Sequence, residues 1–243
     1  MLSRLSLALV SGLVLTAAAS TAQAQVTTYT DATGDVAGGI FNPNGILDLV
    51  SMEVSNTATD ISFRLTVNSG GAFNPDWGKY MIGIATGGAG DSAANGNGWG
   101  RPISMNSPIG AMNYWFGSWV DGGGGAELRA FSGSAWNLNG ATYSGNFPGS
   151  YSISGSSITY TVSLASLGLG LGSTFYFDAY SSGGGGGDGA IDALANPNVS
   201  ISDWGNAYVS GGSNPIYSYT VVPAPGAVAL LGLAGLMARR RRR

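Results

Sequence analysis

Asp60-Ile61-Ser62-Phe63-Arg64-Leu65-Thr66-Val67 alternates without a break, with Ile61, Phe63, Leu65 and Val67 on one side and Ser62, Arg64 and Thr66 on the other. A period of two is the signature of a strand with one buried face, because successive side chains leave a pleated backbone in opposite directions. The same pattern recurs where Ile158, Tyr160, Val162 and Leu164 alternate with Ser157, Thr159, Thr161 and Ser163. It recurs again where Val50, Met52 and Val54 alternate with Ser51 and Glu53. Further strands are expected over Lys79–Ala85 and over residues 112–120, 126–131, 174–180 and 216–221. No stretch between residues 25 and 221 carries an amphipathic helical pattern. Nine or more antiparallel strands, each with one polar face, require two sheets packed on each other. The expected fold is therefore all-β: a two-sheet antiparallel β-sandwich, jelly-roll-like, with Gly-rich loops.

Those loops run through residues 87–98, 122–125 and 183–187. Glycine admits left-handed backbone and close approach at a cost in order, so the loops are expected to be mobile. Glycine spacings within them carry no nucleotide-binding meaning, since no strand-to-helix context follows. With no internal repeat and no compositional break, residues 25–221 read as one domain.

The two ends are of another kind. Residues 1–24 combine Arg4, a short apolar run through Leu15, and Ala22-Gln23-Ala24, the small-x-small pattern accepted by signal peptidase. That is the pattern of a cleavable secretory signal, read here as a signal helix with cleavage after Ala24. A membrane anchor is the alternative, but the apolar run falls short of the roughly 20 residues that span a bilayer. At the other end, Val222-Pro223-Ala224-Pro225 precedes an apolar helix over 226–238 and then Arg239, Arg240, Arg241, Arg242 and Arg243. The arginines fix the cytoplasmic side. As helix, 226–238 reaches about 20 Å against a hydrocarbon core of about 30 Å, which suits transient membrane insertion better than a permanent span.

This tripartite segment, residues 222–243, resembles the PEP-CTERM sorting signal, in which the usual Pro-Glu-Pro appears here as Pro223-Ala224-Pro225. The resemblance implies an exosortase-type processing enzyme as partner and a cell-surface destination. A simple tail anchor is the alternative.

The chain has 13 acidic and 10 basic residues and a net charge of −3. Six of the basic residues, Arg4 and the five terminal arginines, belong to the ends. The domain between therefore sets 13 acids against Arg64, Lys79, Arg101 and Arg129, a net −9. Such a balance argues against nucleic acid, whose phosphates need a basic partner. The absence of Cys and His removes thiolate zinc sites, imidazole bases and Ser-His-Asp or Cys-His catalysis. Enzymes built on carboxylates remain possible, glycosidases above all.

The turn Asp31-Ala32-Thr33-Gly34-Asp35, the Asp48-bearing segment 47–54, the bend Leu164-Ala165-Ser166-Leu167-Gly168 and the strand Phe175-Tyr176-Phe177-Asp178-Ala179 together resemble another family. They look like the carbohydrate-binding modules of the family-nine type and the related C-terminal module of glucodextranase. That resemblance implies a β-sandwich and, more remotely, sugar binding.

Two constellations are candidates for chemistry. On the strand 112–120, Asn113, Trp115, Gly117 and Trp119 share a face, with Asp121 just beyond. Two tryptophans about 13 Å apart along a strand, over a glycine floor, would stack on sugar rings, while Asn113 and Asp121 bond hydroxyls. Burial of both rings in a central strand is the alternative. Trp77 and Trp99, beside loops, are secondary candidates. Asp31, Asp35 and Asp48 could offer oxygens to calcium, the one cofactor considered; a structural turn capped by Asx side chains is the alternative. Asp188 and Asp192 are weaker acidic candidates.

The expected function is that of a secreted, envelope-sorted surface protein, a non-catalytic module that associates with extracellular polysaccharide or matrix. The alternatives are a purely structural biofilm protein and a glycosidase built on carboxylates such as Glu53 and Glu127.

Overall fold

Ile61, Phe63 and Leu65 are wholly buried and Val67 almost so, while Arg64 on the same strand reaches solvent. A computed structural model describes residues 26–71, 73 and 77–223. The signal segment with Ala22 and Ala24, Pro225, the apolar stretch 226–238 and Arg239–Arg243 lie outside the described residues, as do the helices expected at both ends.

The described residues form fourteen strands: β1 (Thr27–Thr30), β2 (Leu49–Asn56), β3 (Asp60–Val67), β4 (Lys79–Ala85), β5 (Ile103–Asn106), β6 (Tyr114–Trp119), β7 (Gly125–Phe131), β8 (Trp136–Ala141), β9 (Gly149–Ser154), β10 (Ser157–Ser163), β11 (Thr174–Ser182), β12 (Asp192–Ala193), β13 (Tyr208–Gly211) and β14 (Tyr217–Thr220). The smaller sheet runs β1-β2-β3-β10-β9, and the larger runs β12-β11-β4-β6-β7-β8. Both are antiparallel; β14 and β12 share the outer edge of β11. The consecutive pairs β3–β4 and β10–β11 pass together from one sheet to the other, since β3 pairs with β10 and β4 with β11. That paired crossing gives the sandwich its jelly-roll-like wrap.

The inward faces close on Phe63. Its ring meets Phe116, Phe175 and Phe177 of the opposite sheet at centroid distances of 5.9, 6.1 and 6.5 Å. Such tilted and edge-on pairs add about 0.5–1.5 kcal/mol each to the area they bury. Leu164–Leu167 forms a 3-10 turn after β10, with the Ser163 side chain accepting from the Ser166 amide and Gly168 at φ 63° ending it. This places the bend where the sequence has its Leu-x-x-Leu-Gly run.

The larger sheet departs from expectation. Its outer face is not polar: Met81, Trp115 and Tyr180 are fully buried there. Segments 86–113 and 183–216, with the short parallel pair β5–β13, fold back over that face and form a second core around Ile103, Met105, Ile191 and Tyr208. The molecule is thus a sandwich with a third layer of loops. Some glycines of the glycine-rich loops, such as Gly90, Gly96 and Gly98, serve close packing, whereas Gly122, Gly123, Gly184, Gly186 and Gly187 have open space beside them. A side chain at Gly98 would collide with Trp115 and Arg129.

Candidate functional site

The third layer covers the outer face of β6 only in part, and a pocket opens at its margin. Trp119 ends β6 and lies across Gly125 of β7, where any side chain would collide with its ring. Tyr143 packs on it at 6.1 Å. Trp99 descends from the loop layer onto Gly117 in the same way and stands edge-on to Trp115 at 6.2 Å. Its indole N–H donates to Glu127, a buried carboxylate that also accepts from Arg129 Nε at 2.6 Å. Trp99 is therefore held from below and by its nitrogen, with its ring left to form a wall.

Two cations complete the pocket. Lys79 Nζ donates to the Trp77 carbonyl at 2.9 Å and to both oxygens of Asp121 at 2.9 and 3.0 Å. Arg101, only 4% exposed, donates from Nη1 to Ser182 Oγ at 2.7 Å and to the Asp188 carbonyl at 3.0 Å, and from Nη2 to the Gly183 carbonyl at 3.1 Å. Its guanidinium sits 5.4 Å from the Trp99 ring centre, within cation–π range. Burial pulls its pKa down, and the charge of Asp188 pulls the other way. Nε has no partner. Lys79, Trp99, Arg101, Trp119 and Gly186 enclose about 270 Å³. Past Lys79 the aromatic surface continues: Trp77 packs on Trp204 at 6.1 Å and stacks with the exposed Phe41 at 6.2 Å.

No protein-family model, curated protein or solved structure matches this chain.

The candidate residues divide accordingly. Trp119, Trp99, Trp77 and Asp121 do gather at one surface, although Asp121 is engaged by Lys79. Trp115 does not join them. It shares a face with Trp119 as the alternation requires, but it is fully buried, stacked on Tyr180 at 6.0 Å. The glycine floor between the two tryptophans is occupied by Trp99. Asn113 is also buried: its Oδ1 accepts from the Thr86 amide at 3.0 Å and its Nδ2 donates to Thr86 Oγ1 at 3.0 Å, a clasp between two segments rather than a ligand contact. The expected Trp115–Trp119 platform is thus corrected to a Trp99–Trp119 pocket. Arg101, Trp204 and Tyr143 were not expected there, and nothing local in the sequence marks them.

Of the acidic candidates, Asp31 and Asp35 come together, and Asp48 adjoins them by accepting from the Gly34 amide at 2.9 Å. A fourth carboxylate joins them from the far part of the chain, Asp192 of β12, and one ligand oxygen from each of Asp31, Asp35 and Asp192 lies within 4.8 Å of the others. Asp188 is elsewhere, its Oδ2 accepting from the Gly185 amide at 2.8 Å.

Proposed function

We propose that the chain is the precursor of an exported, envelope-sorted surface protein whose β-sandwich associates non-catalytically with extracellular glycan. The pocket walled by Trp99 and Trp119 carries this reading. Aromatic faces suit the apolar C–H faces of pyranose rings, and the Lys79 ammonium in the pocket wall offers positive charge to hydroxyl or carboxylate oxygens. At about 270 Å³ the pocket is just under the roughly 300–1,000 Å³ of pockets that engulf a small molecule, which suits one residue of a longer polymer. The aromatic surface of Trp77, Trp204 and Phe41 extends the same contact.

Export and sorting rest on the signal pattern of 1–24 and the tripartite tail. The described chain supports the place of the tail: Asn56 accepts from the Val222 amide at 3.2 Å and donates to its carbonyl at 2.8 Å, so the sandwich is clasped shut one residue before Pro223. A processing enzyme would then meet a segment beyond the last clasped residue. Glu53 and Glu127 do not stand as the acid and base of a glycosidase. They project from the outer faces of opposite sheets, where Glu53 pairs with Arg64 at 3.3 Å and Glu127 with Arg129 at 2.6 Å. Acid and base of a glycosidase stand about 5–9.5 Å apart across one cleft.

Pull-down of the secreted protein on insoluble and acidic polysaccharides, beside a glycan array, tests the reading. Trp119→Ala is expected to weaken binding about 5- to 150-fold, the equivalent of about 1–3 kcal/mol for an aromatic stacking contact. Unchanged binding by that variant, or no binding by the parent protein, would favour a structural matrix role instead.

A further inference from the structure

Four carboxylates from separate parts of the chain converge where β1 leaves the smaller sheet. Asp31 directly follows β1, Asp35 lies beyond the turn at Gly34, Asp48 directly precedes β2, and Asp192 begins β12 of the larger sheet. Three of the four are held by hydrogen bonds. Asp31 Oδ1 accepts from the Ala32 amide at 2.8 Å, and Asp48 Oδ2 accepts from the Gly34 amide at 2.9 Å and from Asn68 Nδ2 at 3.1 Å. Asp192 accepts from the Leu49 amide at 2.7 Å and from its neighbour Ala193 at 2.8 Å. What remains is a set of oxygens without partners. Asp31 Oδ2, both oxygens of Asp35 and Asp48 Oδ1 are buried and accept no hydrogen bond, and Asp48 as a whole is only 4% exposed.

This arrangement is costly as it stands. A buried carboxylate without a partner loses its hydration and gains nothing in return. Burial first, and then the neighbouring charges, push the carboxyls of Asp31 and Asp192 well above the ordinary range, and that of Asp35 in the same direction. The ion pairs among the described residues, Arg64–Glu53, Lys79–Asp121 and Arg129–Glu127, involve none of the four.

We propose that Asp31, Asp35, Asp48 and Asp192 form a binding site for a hard divalent cation of the calcium class, which ties the entry strand of one sheet to the edge of the other. The donors are all oxygen, and a chain without His or Cys has no softer ligand to add, which disfavours zinc and copper. Calcium takes six to eight oxygens in an adaptable shell, and four carboxylates with backbone carbonyls and water can fill it. Magnesium demands near-octahedral geometry at shorter distances and gives up its water reluctantly, so it fits a carboxylate-rich, partly buried cluster less well. The hydrogen bonds from Ala32, Gly34, Leu49 and Ala193 hold Asp31, Asp48 and Asp192 in position, and one oxygen from each of Asp31, Asp35 and Asp192 lies within 4.8 Å of the others. The linkage is to the fold: the Asp192 contact to the Leu49 amide already joins the two sheets, and a cation there would strengthen that joint independently of glycan binding.

Full-length protein stripped with EDTA, then titrated with calcium chloride by calorimetry and followed by thermal melting, decides the matter. A saturable isotherm and a calcium-dependent rise in Tm are expected, with a smaller rise in magnesium. Asp35→Asn should weaken calcium binding at least tenfold. Its Tm in EDTA should equal or exceed that of the parent, because a buried negative charge has gone. Asp31→Asn serves as a second variant if the first does not fold, and Asp203→Asn, at an exposed acid outside the cluster, should bind as the parent does. The proposal is overturned if neither heat nor a Tm shift appears by roughly 10 mM calcium, well past the millimolar end of extracellular calcium affinities. It is also overturned if Asp35→Asn and Asp31→Asn bind as the parent does, and an equal response to magnesium would overturn the assignment of ion class. Loss of glycan binding by Trp119→Ala with calcium binding intact would separate the two sites.

Discussion

Trp99 lies across Gly117, its six-membered ring filling the space that a side chain at that position of β6 would need. The contact joins the loop layer to the sheet and sets one wall of the pocket. Packing and binding are thereby coupled at a single glycine.

Gly117→Val should accordingly displace Trp99. Overpacking of this kind costs about 1–3 kcal/mol. The expected result is a lower denaturant midpoint together with a shift in tryptophan emission. A variant that kept both at the parent values would show that Trp99 is not seated on β6.

Trp115 and Trp119 should respond differently to truncation. Trp115 is fully buried between Trp99 and Tyr180, so Trp115→Ala should cost about 3–5 kcal/mol of stability. Trp119 is partly exposed at the pocket margin, so Trp119→Ala should cost much less stability while affecting binding. Urea midpoints of the two variants, measured side by side, check the order; equal losses would contradict it.

Arg101 ties the loop layer to Ser182 at the end of β11 and to the glycine-rich segment at Gly183 and Asp188, one hydrogen bond to each. Arg101→Met keeps the apolar stem but leaves Ser182 Oγ and two carbonyls without this donor. Each unmet buried partner costs about 1–3 kcal/mol. Faster amide exchange across 183–189 is the expected readout, and unchanged exchange there would count against this role.

Stability should depend on pH through Asp178. It is wholly buried in β11, where it accepts from Ser210 Oγ and from the Ala179 and Ala195 amides. Burial lifts its carboxyl from 3.8 to about 7, against the opposing pull of those hydrogen bonds. Between these values the folded protein keeps a proton that the unfolded chain has released, so the unfolded state binds fewer protons and stability falls as pH rises. The contribution is full below pH 3.8, declines through about pH 7, and is level above. Asp31, Asp35 and Asp192 shift in the same direction and steepen the decline in metal-free protein. Melting in EDTA from pH 4 to 8 should show Tm falling, with a shallower fall in Asp178→Asn; a rising Tm would contradict the assignment.

Much of the sandwich was legible. The expected strands Asp60–Val67 and Lys79–Ala85 coincide with β3 and β4, and the alternations near Val54 and Ile158 lie within β2 and β10. The strands that escaped notice either lie at an edge, as β9 does with its largely exposed Gly149–Ser154, or, like the buried β5, β12 and β13, are too short to show a period. In the carboxylate cluster, Asp31, Asp35 and Asp48 stood close in sequence and could be grouped. Asp192 could not, because only the pairing of β12 with β11 carries it to the same place.

By itself the sequence determined which side chains share a face, because alternation is a property of the local backbone. From it follow the inward set around Phe63 and the common side of Trp115, Gly117 and Trp119. Whether that side meets water was decided only by the tertiary structure, when segments 86–113 and 183–216 folded over the larger sheet and covered Trp115 but not Trp119. Burial depends on what arrives from elsewhere in the chain, and the pleat of one strand holds no record of that.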